Sequence, residues 1–224
     1  MLVYEYGGAA AHAGLMSLGL RGTAGRISPD QLRAAAEPST KVADQRVTVL
    51  SLENTHNNAG GRVWPLAALG EVERTARELG LAVHLDGARV LNAAVAQGVE
   101  PAAIASRFDS VTLCLSKGLG CPLGALLTGS RELIERAWRE KHLFGGAMRQ
   151  AGIVAAAGVY ALDHHVARLA DDHRRARRLA EGLASGGLRV DLEQVETNFV
   201  QIDLAPLGLE RAAARTWSDV MRPP

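Results

Sequence analysis

Three apolar runs in this 224-residue chain each end in polar groups with chemistry. Glu53 closes RVTVLSLE with His56 beyond it, Asp86 closes LAVHLD with Arg89 beyond it, and Lys117 follows DSVTLCLS. A lysine at the end of an apolar run has two uses. It can snorkel, covering apolar surface with its stem while its charge stays in water. It can also stand in a partly desolvated pocket, where its pKa falls and the neutral amine attacks a carbonyl to form a Schiff base. Ser116, Gly118 and Gly120 flank Lys117. A hydroxyl and glycine-exposed backbone N–H groups suit an anion such as phosphate, which favours the second use.

Asp86, in HLDGAR, reads either as an N-cap for a helix from Ala88 or as a buried carboxylate that holds a protonated heterocycle nitrogen. Arg89 can take a phenolate or a substrate carboxylate in bidentate fashion. An Asp-x-x-Arg with a later lysine is the set pyridoxal phosphate requires. The amine takes its aldehyde, and the carboxylate keeps its ring nitrogen protonated so that the ring accepts electrons. His56, in ENTHNNAGG, is a loop histidine that either faces solvent or joins this strand-end face, where it would polarise a substrate hydroxyl or stack on a ring. Glu53 is placed to orient it. Arg149, in GGAMRQAG, follows two glycines and reads either as a surface arginine or as an anion site at a helix start.

Competing chemistries fit less well. GLGCPLG spaces its glycines G-x-G-x-x-x-G and precedes a strand, and no G-x-x-x-x-G-K-[ST] occurs, so neither nucleotide device is present. His84-x-Asp86 and His164-His165 are the only metal-type pairs and lack a third ligand at useful spacing, so no metal is expected. HRRARRLAE, 173–181, follows Asp171 and Asp172 and reads as a solvated helix face.

The elements that carry these residues alternate. RVTVLSLE (46–53), LAVHLD (81–86), DSVTLCLS (109–116) and PLGALLTG (122–129) read as strands. PLAALGEVERTARELG (65–80) and ARVLNAAVAQG (88–98) read as helices closed by glycine, and SRELIERAWREKHL (130–143) as a helix capped by its serine. Such βαβα order predicts an α/β fold with a mostly parallel sheet sandwiched by helices. Ligands of such sheets bind outside the carboxyl ends of the strands, where Glu53, His56, Asp86, Arg89 and Lys117 all fall. From Met148 to Gly187 the sequence reads as nearly continuous helix, VETNFVQIDLA (195–205) as a strand of a second, smaller domain, and ERAAARTWSDVMRPP as the start of a helix. The expected division is 1–160 for part of a large cofactor-binding domain and 161–224 for a linking helix and part of a small α+β domain.

Composition narrows the class. Lys plus Arg number 25 against 24 Asp plus Glu, so neither nucleic acid nor an anionic membrane is expected as a partner. No apolar run approaches the roughly 18–20 residues of a membrane span. MLVYEYGGAAAHAG lacks the pattern of a signal peptide. Two cysteines, Cys114 and Cys121, without metal-type spacing fit a reducing cytoplasm.

SLENTHN, HLDGARVLNA, LCLSKGLGCPLGALLTGSRELI and GGAMRQAGIVAAAGVYAL resemble the low-specificity L-threonine aldolases, in this order and over nearly the whole chain. The resemblance implies pyridoxal phosphate, the aminotransferase-type fold and the β-eliminating lyase group. It implies that Lys117 is the Schiff-base lysine, Asp86 the partner of the pyridine nitrogen, and Arg89 the arginine near the phenolic oxygen and substrate carboxylate. It further implies that His56 lies close to the substrate hydroxyl, and that Ser116 and Arg149 lie at or near the phosphate and the mouth of the site. The implied reaction cleaves a β-hydroxy-α-amino acid to glycine and an aldehyde, in a dimer or tetramer. Against the family pattern the chain is expected to be truncated at both ends. It would lack a Gly-Thr phosphate turn, a ring-stacking histidine and a carboxylate-binding arginine. Two alternatives therefore stand beside the aldolase: a catalytically silent remnant that acts through association, and another pyridoxal-phosphate lyase of the same fold.

Overall fold

The structure, a computed structural model, describes residues 7–36 and 46–208. Four strands form one sheet in the order β1 (Val49–Glu53), β2 (Ala82–Asp86), β3 (Ser110–Cys114) and β4 (Ala125–Gly129). The first three run parallel and β4 returns antiparallel to β3. The parallel steps are made through α3 (Leu66–Glu78) and then through α4 (Val90–Gln97) with α5 (Pro101–Ala105). The antiparallel step needs only the glycine-rich turn after β3, because two antiparallel strands can be joined by a short loop.

Strand periodicity sorts the two faces. Leu50, Leu52, Val83, Leu85 and Val111 are buried. They share one core with Leu32 of α2 (Pro29–Ala36), Leu69, Val72 and Ala76 of α3, and Ile104 of α5. The opposite face carries Ser51, Glu53, His84, Asp86, Ser110, Thr112 and Cys114, which are half-buried or exposed. On that face Glu53, Asp86 and Thr112 are Cα partners across three strands, and Ser51, His84 and Ser110 form the next row. Fully apolar strands would bury both faces, whereas this alternation leaves a polar stripe that ends at the strands' carboxyl edge.

Helix ends follow their sequence signals. Ser130 caps α6 (Arg131–Leu143) by accepting from Leu133 N–H at 3.2 Å. Gly98 closes α4 in the left-handed region. The expected continuous helix from Met148 is instead two, α7 (Gly152–His164) and α8 (Leu169–Ser185). The break falls where His165 Nδ1 pairs with Leu119 O at 2.7 Å and Leu169 buries beside Gly118. Tertiary contact there overrides a favourable helical propensity. Residues 195–205 likewise do not form the expected strand. They hold one isolated bridge, Arg189 with Asp203, between two short 3₁₀ turns, because their polar groups bond to a loop and no strand lies beside them among the described residues. Short helices over Gly8–Ala13, α2 and α5 were not expected from the sequence, and the expected helix from Glu210 lies outside the described residues.

Two half-buried histidines tie elements together. His84 Nδ1 meets Ser110 Oγ at 2.8 Å across β2 and β3. Asn92 of α4 meets His173 Nε2 of α8 at 3.0 Å, a contact satisfied when the neutral imidazole accepts from the amide. Burial lowers both histidines from the usual value of 6.5, against smaller opposing effects of Asp86 and Ser110 on His84 and of Asp172 on His173. The unfolded chain therefore takes up these protons first as the pH falls. The stability these groups contribute is complete above pH 6.5 and is lost as the pH drops through their lower folded-state values. The urea midpoint is expected to fall between pH 7 and 5, and His173→Gln to flatten part of that fall. An equally steep fall in His173→Gln would remove His173 from the explanation.

Candidate functional site

Each strand end is fixed by its own turn. After β1 the chain loops back so that His56 N–H donates to Arg62 O and Gly61 N–H to His56 O, both at 2.9 Å. Asn57 N–H donates to Glu53 Oε1 at 2.9 Å, which ties the loop to the strand. Ala59 N–H donates to His56 Nδ1 at 3.2 Å. That bond makes Nδ1 an acceptor, so the neutral ring carries its proton on Nε2. Nε2 lies 3.8 Å from Glu53 Oε2, an ion-pair distance when the ring is charged and too long for a hydrogen bond.

After β2, Ala88 N–H donates to Asp86 Oδ1 at 3.1 Å, and the helix begins two residues later at Val90. Asp86 thus braces the turn without capping the helix itself. Its other oxygen has no hydrogen-bond partner among the described residues. Arg89 sits at the N-cap position of α4, half-buried. Its Nη1 donates to Asn57 Oδ1 at 3.1 Å, and its guanidinium carbon lies 4.6 Å from the centre of the Phe199 ring. Neither neighbour neutralises it, and no carboxylate comes within ion-pair distance of it among the described residues. Burial lowers its pKa, against the attraction of Glu53, Cys114 and Asp86.

After β3, Gly120 N–H donates to Lys117 O at 2.9 Å and Leu115 N–H to Gly124 O, closing the turn that holds Lys117. Lys117 stands exposed rather than in the partly desolvated pocket expected of it. Its Nζ donates to Cys114 Sγ at 3.3 Å. Arg89, Asn92, Cys114, Lys117 and Leu169 line one hollow of about 10 Å³, room for about one water. Arg89 and Lys117 are therefore neighbours, Asp86 lies one strand from Thr112, and Cys114 lies two residues beyond Thr112 on the same face.

The other expected residues lie further out. His56 lines a separate cleft of about 440 Å³ with Leu20, Ile27, Asn58, Gln194 and Gln201, and neither Lys117 nor Asp86 faces that cleft. Ser116 is exposed without a hydrogen-bond partner among the described residues. Arg149 is exposed in the turn before α7, which starts three residues later, and nothing among the described residues joins it to Lys117 or Arg89.

Four contributors went unread in the sequence: Gly25, Asn57, Glu196 and Phe199. Gly25 has φ +76°, and a Cβ there would stand 2.4 Å from His56 Cγ. The turn from Thr23 to Arg26 can lie against the imidazole only because position 25 lacks a side chain. Asn57 adjoins His56 in the motif, so its place was legible in principle. The others come from distant parts of the chain with no local signal.

Comparison with known proteins adds a lineage. A family model described as beta-eliminating lyase matches residues 1–205. The low specificity L-threonine aldolase of Escherichia coli K12 is 45% identical over 219 residues, covering 92% of this chain and 63% of its own. A solved structure of Leishmania major threonine aldolase superposes with a TM-score of 0.72 at 21% identity, over 84% of this chain and 55% of its own. The N-succinyldiaminopimelate aminotransferase of Mycobacterium tuberculosis superposes with a TM-score of 0.64 at 23% identity, over 92% and 54%. The two structures share with this chain an aminotransferase-type fold. The chain spans 63% of the length of the Escherichia coli relative.

The contact between Gly25 and His56 is testable. Gly25→Ala combines an unfavourable positive φ with a clash against the ring, and is expected to cost about 1–3 kcal/mol. The urea midpoint measures the cost, and the imidazole proton shifts of His56 report its displacement. An unchanged midpoint with an unmoved ring would contradict the contact.

Proposed function

The chain belongs to the beta-eliminating lyase family, and on that premise we propose that it binds pyridoxal phosphate and cleaves threonine-type β-hydroxy-α-amino acids to glycine and an aldehyde. The observation that carries this reading is the unspent polar capacity of Asp86, Arg89 and Lys117 at the carboxyl ends of β2 and β3. Among the described residues Asp86 keeps one oxygen without a partner after bracing its turn. Arg89 is a half-buried cation whose neighbours are an amide and a ring. Among the described residues Lys117 has only a thiol for its amine. An acceptor, a cation and an amine are what a protonated ring nitrogen, a phenolate or carboxylate, and an aldehyde require. The residues present fit the cofactor at those three points. For its phosphate, Ser116 offers a hydroxyl that is unpartnered among the described residues.

Bound there, pyridoxal phosphate would supply an electron sink for the charge left on the substrate α-carbon. Lys117 would hold it through the amine, and Asp86 would keep a proton on the ring nitrogen. Arg89 would orient an anionic group by paired N–H donors. His56 has Nδ1 occupied by Ala59 N–H, so its Nε2 is a donor. In that tautomer His56 would donate to the substrate hydroxyl and could not take its proton, on condition that the substrate extends from the Lys117 hollow into the His56 cleft. The proton would go to another base or to water, or to His56 only after the Ala59 contact yields.

Relatives named as low-specificity L-threonine aldolases support this substrate class over other lyases of the fold. Exposed Met16, Ile153, Leu143 and Phe144 support an oligomer, and also the second reading, in which the chain acts only by association. Two free cysteines fit a cytoplasmic setting, and no helix among the described residues is long and apolar enough to cross a membrane.

The test is chemical. The protein is mixed with pyridoxal phosphate, reduced with borohydride and mapped by mass spectrometry, and aldehyde release from L-threonine and L-phenylserine is followed in parallel. The label is expected on Lys117, and Lys117→Ala is expected to lose both label and activity. A label on other lysines alone would refute the cofactor site. Labelled Lys117 without aldehyde release would favour the associative reading.

A further inference from the structure

Residues 193–201 cross the loop that carries His56. Glu196 Oε2 accepts from Val63 N–H at 2.6 Å, and its Oε1 lies 3.0 Å from Arg62 Nε and 3.4 Å from Arg26 Nη2. Arg26 in turn donates to Val63 O at 2.6 Å, and Arg62 Nη1 to Glu193 O at 3.0 Å. Thr197, 1% exposed, donates its hydroxyl to Gly61 O at 2.8 Å. A Cβ on Gly61 would stand 2.5 Å from Phe199 Cδ2, so backbone and ring are in direct contact. Three segments far apart in sequence are thus fastened by one carboxylate, one hydroxyl and one ring.

The ring is the end of this clasp that reaches the candidate site. Phe199 presents its face to the Arg89 guanidinium at 4.6 Å from the ring centre, while Asn57 Oδ1 accepts from Nη1. A ring face attracts a cation without consuming an N–H donor. Asn57 takes one donor and leaves the remainder, and among the described residues no carboxylate stands within ion-pair distance of the charge. Asn57 itself rides on the loop that Glu196 and Thr197 fasten.

We propose that Phe199 is a positioning residue. Held by the Glu196–Thr197 clasp, its ring fixes the Arg89 guanidinium with free N–H donors directed to an anionic group, a carboxylate or a phenolate. The consequence for catalysis rests on the function proposed above, whereas the mechanical part does not. Phe199 meets the candidate site at Arg89, so its effect there is exerted through that guanidinium. Leucine keeps the apolar bulk and removes the ring face, and tyrosine keeps the face.

Two measurements separate these parts. The Nε–Hε signal of Arg89, assigned with Arg89→Lys, is recorded by NMR in the protein without cofactor. It is expected to be ring-shifted and slow to exchange in the wild type and in Phe199→Tyr, and to lose both properties in Phe199→Leu. Glycine is then titrated into protein loaded with pyridoxal phosphate, followed by visible absorbance. Phe199→Leu is expected to weaken glycine binding about three- to tenfold, as loss of one partly desolvated cation–π contact implies, with Phe199→Tyr near wild type. An Arg89 signal unchanged in Phe199→Leu overturns the proposal, as does a released Arg89 with undiminished glycine affinity. Failure of the wild type to take up pyridoxal phosphate refutes the functional reading instead, and the NMR comparison then decides alone whether Phe199 holds Arg89.

Discussion

Parallel pairing of three strands is the constraint on which the rest of the molecule depends. Because β1, β2 and β3 run the same way, their carboxyl ends meet at one edge, and whatever residues follow them become neighbours. The register makes this specific by setting Glu53 beside Asp86 and Asp86 beside Thr112. A slip of one residue would turn Asp86 into the core and Leu85 onto the polar face. The core under the other face, with Leu85 and Leu69 fully buried, resists that slip. Apolar burial on one side of the sheet therefore determines the chemistry on the other.

Polar groups at that edge divide into those already spent and those still free. Glu53 spends an oxygen on Asn57 N–H, His56 spends Nδ1 on Ala59 N–H, and Glu196 is consumed between Val63, Arg62 and Arg26. These bonds shape loops. Among the described residues Asp86, Arg89 and Lys117 keep atoms in reserve, and a half-buried cation with no carboxylate at ion-pair distance is costly to keep unless something binds it. Groups held rigid by spent partners and aimed with unspent ones are what a ligand site needs, because orientation set before binding is not lost on binding.

Much of this was legible in the sequence, and the limits have physical causes. Apolar runs ending in Asp86 or Lys117 announce both the strand and the residue at its edge, since period and termination are local properties. Ser130 and Gly98 announced their helix ends for the same reason. The break between α7 and α8 was not legible, because it answers to Leu119 O and Gly118 some 45 residues earlier. Residues 195–205 have the composition of a strand, yet the side chains of Glu196 and Thr197 serve the His56 loop. Phe199 carries no sign in its own neighbourhood that it will face Arg89. Lys117 is legible at the end of its strand, but the choice between a snorkelling and a pocketed amine is not, because burial depends on what covers the edge and not on the run that leads to it; among the described residues it is exposed.

The central claim is that Asp86, Arg89 and Lys117 form one cofactor site at the edge of this sheet. A crystal structure of the protein grown with pyridoxal phosphate tests it most directly. Density continuous with Lys117 Nζ, with the ring nitrogen within hydrogen-bonding distance of Asp86, is the expected result. Cofactor bound through another lysine, or a ring nitrogen with no contact to Asp86, would contradict the claim.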